Sequence, residues 1–239
     1  MQFHNTLLVF VALANWVGPA QAQTPLLEAM VKATECRTNS NEKIRQVPSL
    51  NLVCLKGAIN HAMSITFREL NLAKDFSVVV NSGGGDAESA LDISDIILAQ
   101  GAHVIVDNVC LSSCANYLFL SGKTKVVLPR SLLMWHGGPL HVVSPIVIPS
   151  RRQRIVDLAD RSDKFFIKIG VIRDLIYFAP YRESGIRPKN TESWTASRKQ
   201  LEEYYYVTGI EYMWEMDKDA EFIAARAAGQ TPDLRLKIP

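Results

Sequence analysis

The stretch Cys110-Leu111-Ser112-Ser113-Cys114-Ala115 is a knot of small residues between two apolar runs, and its reading decides the fold. Upstream, His103-Val104-Ile105-Val106-Asp107-Asn108-Val109 is β-branched and bounded by Gly101, which predicts a strand. Downstream, Asn116-Tyr117-Leu118-Phe119-Leu120 is apolar on consecutive positions and stops at Ser121-Gly122, which predicts a buried helix. A serine between such a strand and such a helix sits where backbone N–H groups are unpaired and the helix dipole is positive. That place suits a nucleophile whose attack generates an oxyanion. The plainer reading is that Ser112 and Ser113 cap the helix.

The flanking stretches favour chemistry. Phe76-Ser77-Val78-Val79-Val80-Asn81 reads as a strand running into Ser82-Gly83-Gly84-Gly85-Asp86, with helical spacing in Ala90, Leu91, Ile93, Ile96 and Ile97 beyond it. Glycines after a strand let the backbone approach a ligand closely. On the other side, Lys125-Val126-Val127-Leu128-Pro129 leads to Ser131-Leu132-Leu133-Met134-Trp135-His136-Gly137-Gly138, which places a histidine at a strand end beside a flexible loop.

This order of pieces resembles the Clp protease proteolytic-subunit family within the ClpP/crotonase superfamily. The shared pattern is a strand ending in Asn81 to Gly85, then Ser113 with Gly122 nine residues later, then Leu128 to His136. The likeness covers about residues 50 to 140 in detail and extends more loosely to 210. It implies an α/β fold of β-β-α spiral turns around a largely parallel sheet. It further implies Ser113 as nucleophile, His136 as general base, and the backbone amides of Gly84 and Cys114 as oxyanion hole. The family's third member, an Asp, aligns with Thr208 in Tyr206-Val207-Thr208-Gly209. A hydroxyl there can accept from an imidazole N–H but supplies no compensating charge. Glu211, Glu203 and Asp163 are weaker candidates, read as solvated surface charges.

The rest of the chain sets the context. Its 239 residues, 48 % of them hydrophobic, can bury one good-sized core. A net charge of +2 with no dense basic stripe gives no footprint for nucleic acid. Strands alternate with helices: Leu52 to Gly57, Ala62 to Leu72, Val78 to Asn81, Glu88 to Gln100 and Val104 to Val109, as expected of parallel β-α-β units. Thr6 to Ala14 is too short an apolar core to span a membrane, and Ala20-Gln21-Ala22 follows it as a small-x-small cleavage pattern. Residues 1–22 are therefore expected to be a signal peptide, although the segment before its apolar core lacks Lys and Arg. Residues 23–48 read as an N-terminal segment, 49–215 as the ClpP/crotonase-like domain and 216–239 as a charged tail. The mature protein is expected to be exported, to a periplasmic space.

Export gives Cys36, Cys54, Cys110 and Cys114 a meaning, because an oxidising compartment permits two bridges. Three connectivities are open. The favoured one links Cys110 to Cys114 around Ser113 and leaves Cys36 for Cys54. The spacing is not that of a metal site, and neither a metal nor another cofactor is expected. His61, His141, Asp107, Asn108 and Asp86 read as structural or capping residues. Pro139 to Pro149 is an apolar loop or edge strand, Arg151 to Ile169 an amphipathic helix, and Asn190 to Thr195 the opening of a helix through Leu201. The function expected from the resemblance is a serine endopeptidase working without ATP or an ATPase partner on peptides or unfolded chains, as a homo-oligomer. A relative that kept the fold for binding or assembly is the alternative. A crotonase-like acyl-CoA enzyme ranks last, since export separates it from coenzyme A.

Overall fold

Buried parallel strands must be apolar on both faces, and the central strands here are. The computed structural model describes residues 20–38, 42–139, 149–177, 193–215 and 218–219. Its elements run α1 (Ala20–Thr38), β1 (Ile44–Val47), β2 (Leu52–Lys56), α2 (His61–Glu69), β3 (Ser77–Ser82), α3 (Ala87–Gln100) and β4 (His103–Leu111). A short π-helix, Cys114–Phe119, follows, then β5 (Thr124–Val127), β6 (Leu132–Met134), α4 (Pro149–Ile169), α5 (Arg198–Tyr204) and β7 (Ile210–Met213). The strands form one seven-stranded sheet of order β1-β2-β3-β4-β5-β7, with β6 paired to the far half of β4. Every pairing is parallel except β1 with β2. The chain is thus an α/β protein with a mostly parallel sheet.

Alternation along the strands divides the core in two. Val53, Leu55, Val78, Val80, Val104 and Val106 face one side, where they pack with Phe67 of α2, Leu91 and Ile97 of α3, Tyr117 and Phe119 of the π-helix, and Phe165 and Phe166 of α4. Leu52, Cys54, Val79, Ile105 and Val126 face the other, where Ala29 and Ala33 of α1 cover them. Local signals place the helices. Asn60 caps α2 by accepting from the Met63 N–H at 3.0 Å, and Asp86 caps α3 by accepting from the Ser89 N–H at 2.8 Å. Gly101 ends α3 in the left-handed conformation, and Ser197 with Gln200 forms a capping box on α5.

Two expectations change. The N-terminal segment carries a long helix, α1, whose covering role its weak amphipathic pattern did not announce. The last helix begins at Arg198, because Trp194 is extended and exchanges two backbone hydrogen bonds with Trp135, at 2.8 and 2.7 Å. Disulfides join Cys36 to Cys54 and Cys110 to Cys114, the first tying α1 to β2 and the second tying β4 to the π-helix. Both suit an oxidising compartment. Among the described residues no helix is long and apolar enough to cross a membrane. The apolar core of the expected signal peptide, His141 with most of the 139–149 stretch, Asn190 to Glu192 and most of the 216–239 tail lie outside the described residues.

Candidate active site

The sheet itself delivers the two principal residues. β4 and β6 run parallel and pair Val109 with Leu132, Cys110 with Leu133 and Leu111 with Met134. The ladder closes with the Ser112 N–H donating to the Met134 carbonyl at 3.1 Å. Ser113 lies two residues past Leu111, and His136 two residues past Met134. A shared last rung therefore brings both to the same end of the sheet. Ser112 turns the chain there, with φ of 55°, and Ser113 already has helical backbone angles. The π-helix that follows is fully buried, a wide-turned form found mostly as single turns and often at functional sites.

The glycine loop after β3 forms the opposite wall. Gly84 and Gly85 have φ of 88° and 146°. A Cβ on Gly84 would stand 2.5 Å from the Leu111 carbonyl oxygen and 2.8 Å from the Ser112 Cβ, and one on Gly85 would stand 2.2 Å from the Ile59 carbonyl oxygen. Only glycine fits either place, because Gly84 lies directly against the Ser113 turn and Gly85 against the backbone of Ile59. The 5 % exposed Ser113 donates its hydroxyl to the Gly85 carbonyl at 2.9 Å. The Gly84 N–H donates to the Ser82 hydroxyl at 3.1 Å. Gly84 packs against the Ser113 turn and Cys114 follows Ser113 in the chain, and the Gly84 amide already has a partner.

A cavity of about 670 Å³ opens here, lined by Gly85, Asp86, Ser113, Asn116, His136 and Ile155 among others. His136 is exposed at its rim, directly after the fully buried Trp135, and makes no side-chain hydrogen bond among the described residues. Asp86 also faces the cavity while its carboxylate accepts from the Ser89 N–H and hydroxyl, at 2.8 and 2.5 Å. Tyr117 carries a phenol that burial pushes up to about 12, and it shares a hydrogen bond with the Ser162 hydroxyl at 3.1 Å. Its part is therefore structural at neutral pH.

Thr208 requires a correction as third member. It precedes β7, whose Ile210 pairs with Lys125, next to the Thr124 that pairs with the first residue of β4. That is the end of the sheet opposite Ser113. Thr208 is exposed, and its carbonyl accepts from the buried Lys125 ammonium at 2.8 Å. Glu203 and Glu211 are exposed, Asp163 pairs with Arg173 at 2.5 Å, and none of the three lines the cavity. His61 is exposed at the start of α2. Asp107 is held by Arg37, the Asn108 side chain donates to the Asn81 side chain at 3.2 Å, and neither residue lines the cavity. Among the described residues no group of three His, Cys, Asp or Glu is placed to hold a metal.

Asn116 was missed from the sequence. It is 3 % exposed, donates its amide to the Gly137 carbonyl at 3.0 Å, and keeps a buried Oδ1 without a partner among the described residues. The available signal was a lone carboxamide in an otherwise apolar run.

No model of a known protein family matches this chain, and no curated protein matches it. The chemistry of the site accordingly rests on its geometry: a buried serine hydroxyl, an imidazole on the same cavity, and backbone amides beside the serine.

Proposed function

We propose that the chain is an exported serine endopeptidase of the ClpP/crotonase-like kind, acting without ATP on peptides or already unfolded chains. The observation that carries this reading is that Ser113 and His136, each two residues beyond the Leu111–Met134 rung, line one cavity walled by Gly85. In the reaction, Ser113 Oγ attacks the scissile carbonyl carbon and its proton passes to His136 Nε2. The same proton then goes to the leaving amine, and water hydrolyses the acyl-enzyme with His136 again as base. The Cys114 amide, and the Gly84 amide once released from Ser82, would stabilise the oxyanion. The mostly parallel sheet supports the spiral fold of that superfamily, and the two disulfides support export to an oxidising, periplasmic compartment. In that family such subunits assemble as rings, and a homo-oligomer is part of this proposal.

A second reading has its own observations. The Ser113 hydroxyl is given to the Gly85 carbonyl, the Gly84 amide to Ser82, and among the described residues no carboxylate is hydrogen-bonded to His136. A protein that kept the fold for peptide binding would show the same. Reaction with a fluorophosphonate probe followed by mass-spectrometric mapping separates the two. Modification of Ser113, abolished by Ser113→Ala and slowed by His136→Ala, is expected. Absence of labelling in every assembly state would leave the binding protein as the better account.

A further inference from the structure

The geometry points to Asn116 as the positioning residue that orients His136 in place of the missing acid, an inference resting on the peptidase reading above. A serine's general base needs its imidazole in one tautomer, with Nε2 free to take the proton and Nδ1–H held by an acceptor. The resemblance put Thr208 in that role, and the fold carries Thr208 to the other end of the sheet.

Asn116 lines the same cavity as His136 and is tied to the residue that follows it. It belongs to the π-helix one turn beyond Ser113, and its own N–H donates to the Ser112 carbonyl at 2.7 Å, which fixes it relative to the nucleophile. Its Nδ2 donates to the carbonyl of Gly137, the residue directly after His136. That bond ties the histidine's loop to the serine's helix, and it also fixes which end of the carboxamide is which: the nitrogen is spent and the oxygen is left over. The oxygen is fully buried and has no partner among the described residues. A buried acceptor left unpaired is destabilising. Such a cost is removed where a movable donor beside the acceptor turns onto it. Solvent does not reach this atom in the structure, so its donor has to come from a neighbouring side chain that moves onto it. An imidazole N–H swinging inward from the rim is a good one, and His136 has no competing hydrogen bond among the described residues.

A carboxamide in this role holds the tautomer without adding charge, as the Asn of Cys-His-Asn peptidases does. During attack the proton moves from Ser113 Oγ to His136 Nε2, while Nδ1–H stays on Asn116 Oδ1. The rival orienter is Asp86, the carboxylate on the same cavity, which Ser89 already holds through two hydrogen bonds.

The test is a long-range ¹H–¹⁵N correlation spectrum of the His136 ring in the full, ¹⁵N-labelled mature chain. The wild-type ring is expected in the Nδ1–H tautomer. Asn116→Leu should abolish that preference and slow fluorophosphonate labelling at least about tenfold, whereas Asn116→Asp, which keeps an acceptor oxygen, should retain the tautomer. A wild-type ring in the Nε2–H form overturns the inference, and needs no variant to fold. So does a folded Asn116→Leu protein that keeps Nδ1–H, or loss of the preference on Asp86→Asn alone. The spectrum reads the tautomer without turnover. Labelled Ser113 beside an unbiased ring would sink this inference and spare the peptidase, and a biased ring on an unreactive protein would do the reverse.

Discussion

Removing the Ser82 hydroxyl should make the candidate enzyme faster. Ser82 closes β3, is 1 % exposed, and accepts the Gly84 N–H at 3.1 Å. That amide is the one the peptidase reading assigns to the oxyanion, so the hydroxyl and the transition state compete for one donor. The net worth of such a neutral hydrogen bond is about 0.5–1.5 kcal/mol. Freeing the donor in Ser82→Ala should therefore raise the rate of Ser113 labelling roughly two- to tenfold, the same energy expressed as a rate. A full oxyanion donor is worth about 100- to 1000-fold, so the gain is a fraction of what the amide supplies. The cost falls on stability: an unpaired buried amide should remove about 1–3 kcal/mol, read from a denaturant melt. The assay is the second-order labelling rate at fixed pH, normalised to folded protein by near-UV circular dichroism. Unchanged or slower labelling in a folded Ser82→Ala protein would refute the assignment of Gly84 to the oxyanion.

Thr208→Asp should leave labelling within about twofold of wild type, since the residue is exposed at the wrong end of the sheet; a large rise would restore it to the site. Lys125 titrates in the fold's favour only at high pH: burial pushes its ammonium down to about 8 from the ordinary 10.5. The unfolded chain binds the extra proton between those values, so stability is held down below pH 8 and rises toward pH 10.5. Relative to Lys125→Met, wild type should gain about 3 kcal/mol across that window in urea melts, and parallel curves would contradict it. Non-reducing peptide maps should show Cys110 linked to Cys114 and Cys36 to Cys54; replacing the Cys110–Cys114 pair by Ala should cost about 2 kcal/mol by loop entropy, and four free thiols in exported protein would defeat the assignment. Intact mass of the exported protein should correspond to a start at Gln23, just ahead of Thr24-Pro25, the proline being acceptable in a first helical turn; a species retaining Met1 would contradict it.

The sheet was legible because its signals are local. Val78 to Val80 and Val104 to Val106 are short β-branched runs bounded by glycine, and two of the three glycines that follow β3 pack tightly against this chain's own backbone at Leu111 and Ile59. What the sequence hid depends on distant partners. The wide turn of Cys114–Phe119 is set by burial and the Cys110 bridge, not by composition. Trp194 reads as part of a helix opening, yet two backbone bonds to Trp135 hold it extended. Thr208 was placed by aligning a motif, and only the register of β7 on β5 shows which end of the sheet it reaches. Asn116 was absorbed into an apolar run because nothing local reveals that its amide meets Gly137.

The common rung under Ser113 and His136 also governs how this site can change over evolutionary time. Inserting or deleting one residue between Leu111 and Ser113 would displace the left-handed turn at Ser112 that sets the serine, and doing so between Met134 and His136 would swing the histidine to the opposite side of an extended segment, in each case while the other residue stayed. Length is therefore constrained in these two short spacers even where residue identity is free. Divergent relatives of this protein should accordingly be recognised by two fixed spacings measured from one pair of hydrogen-bonded strands.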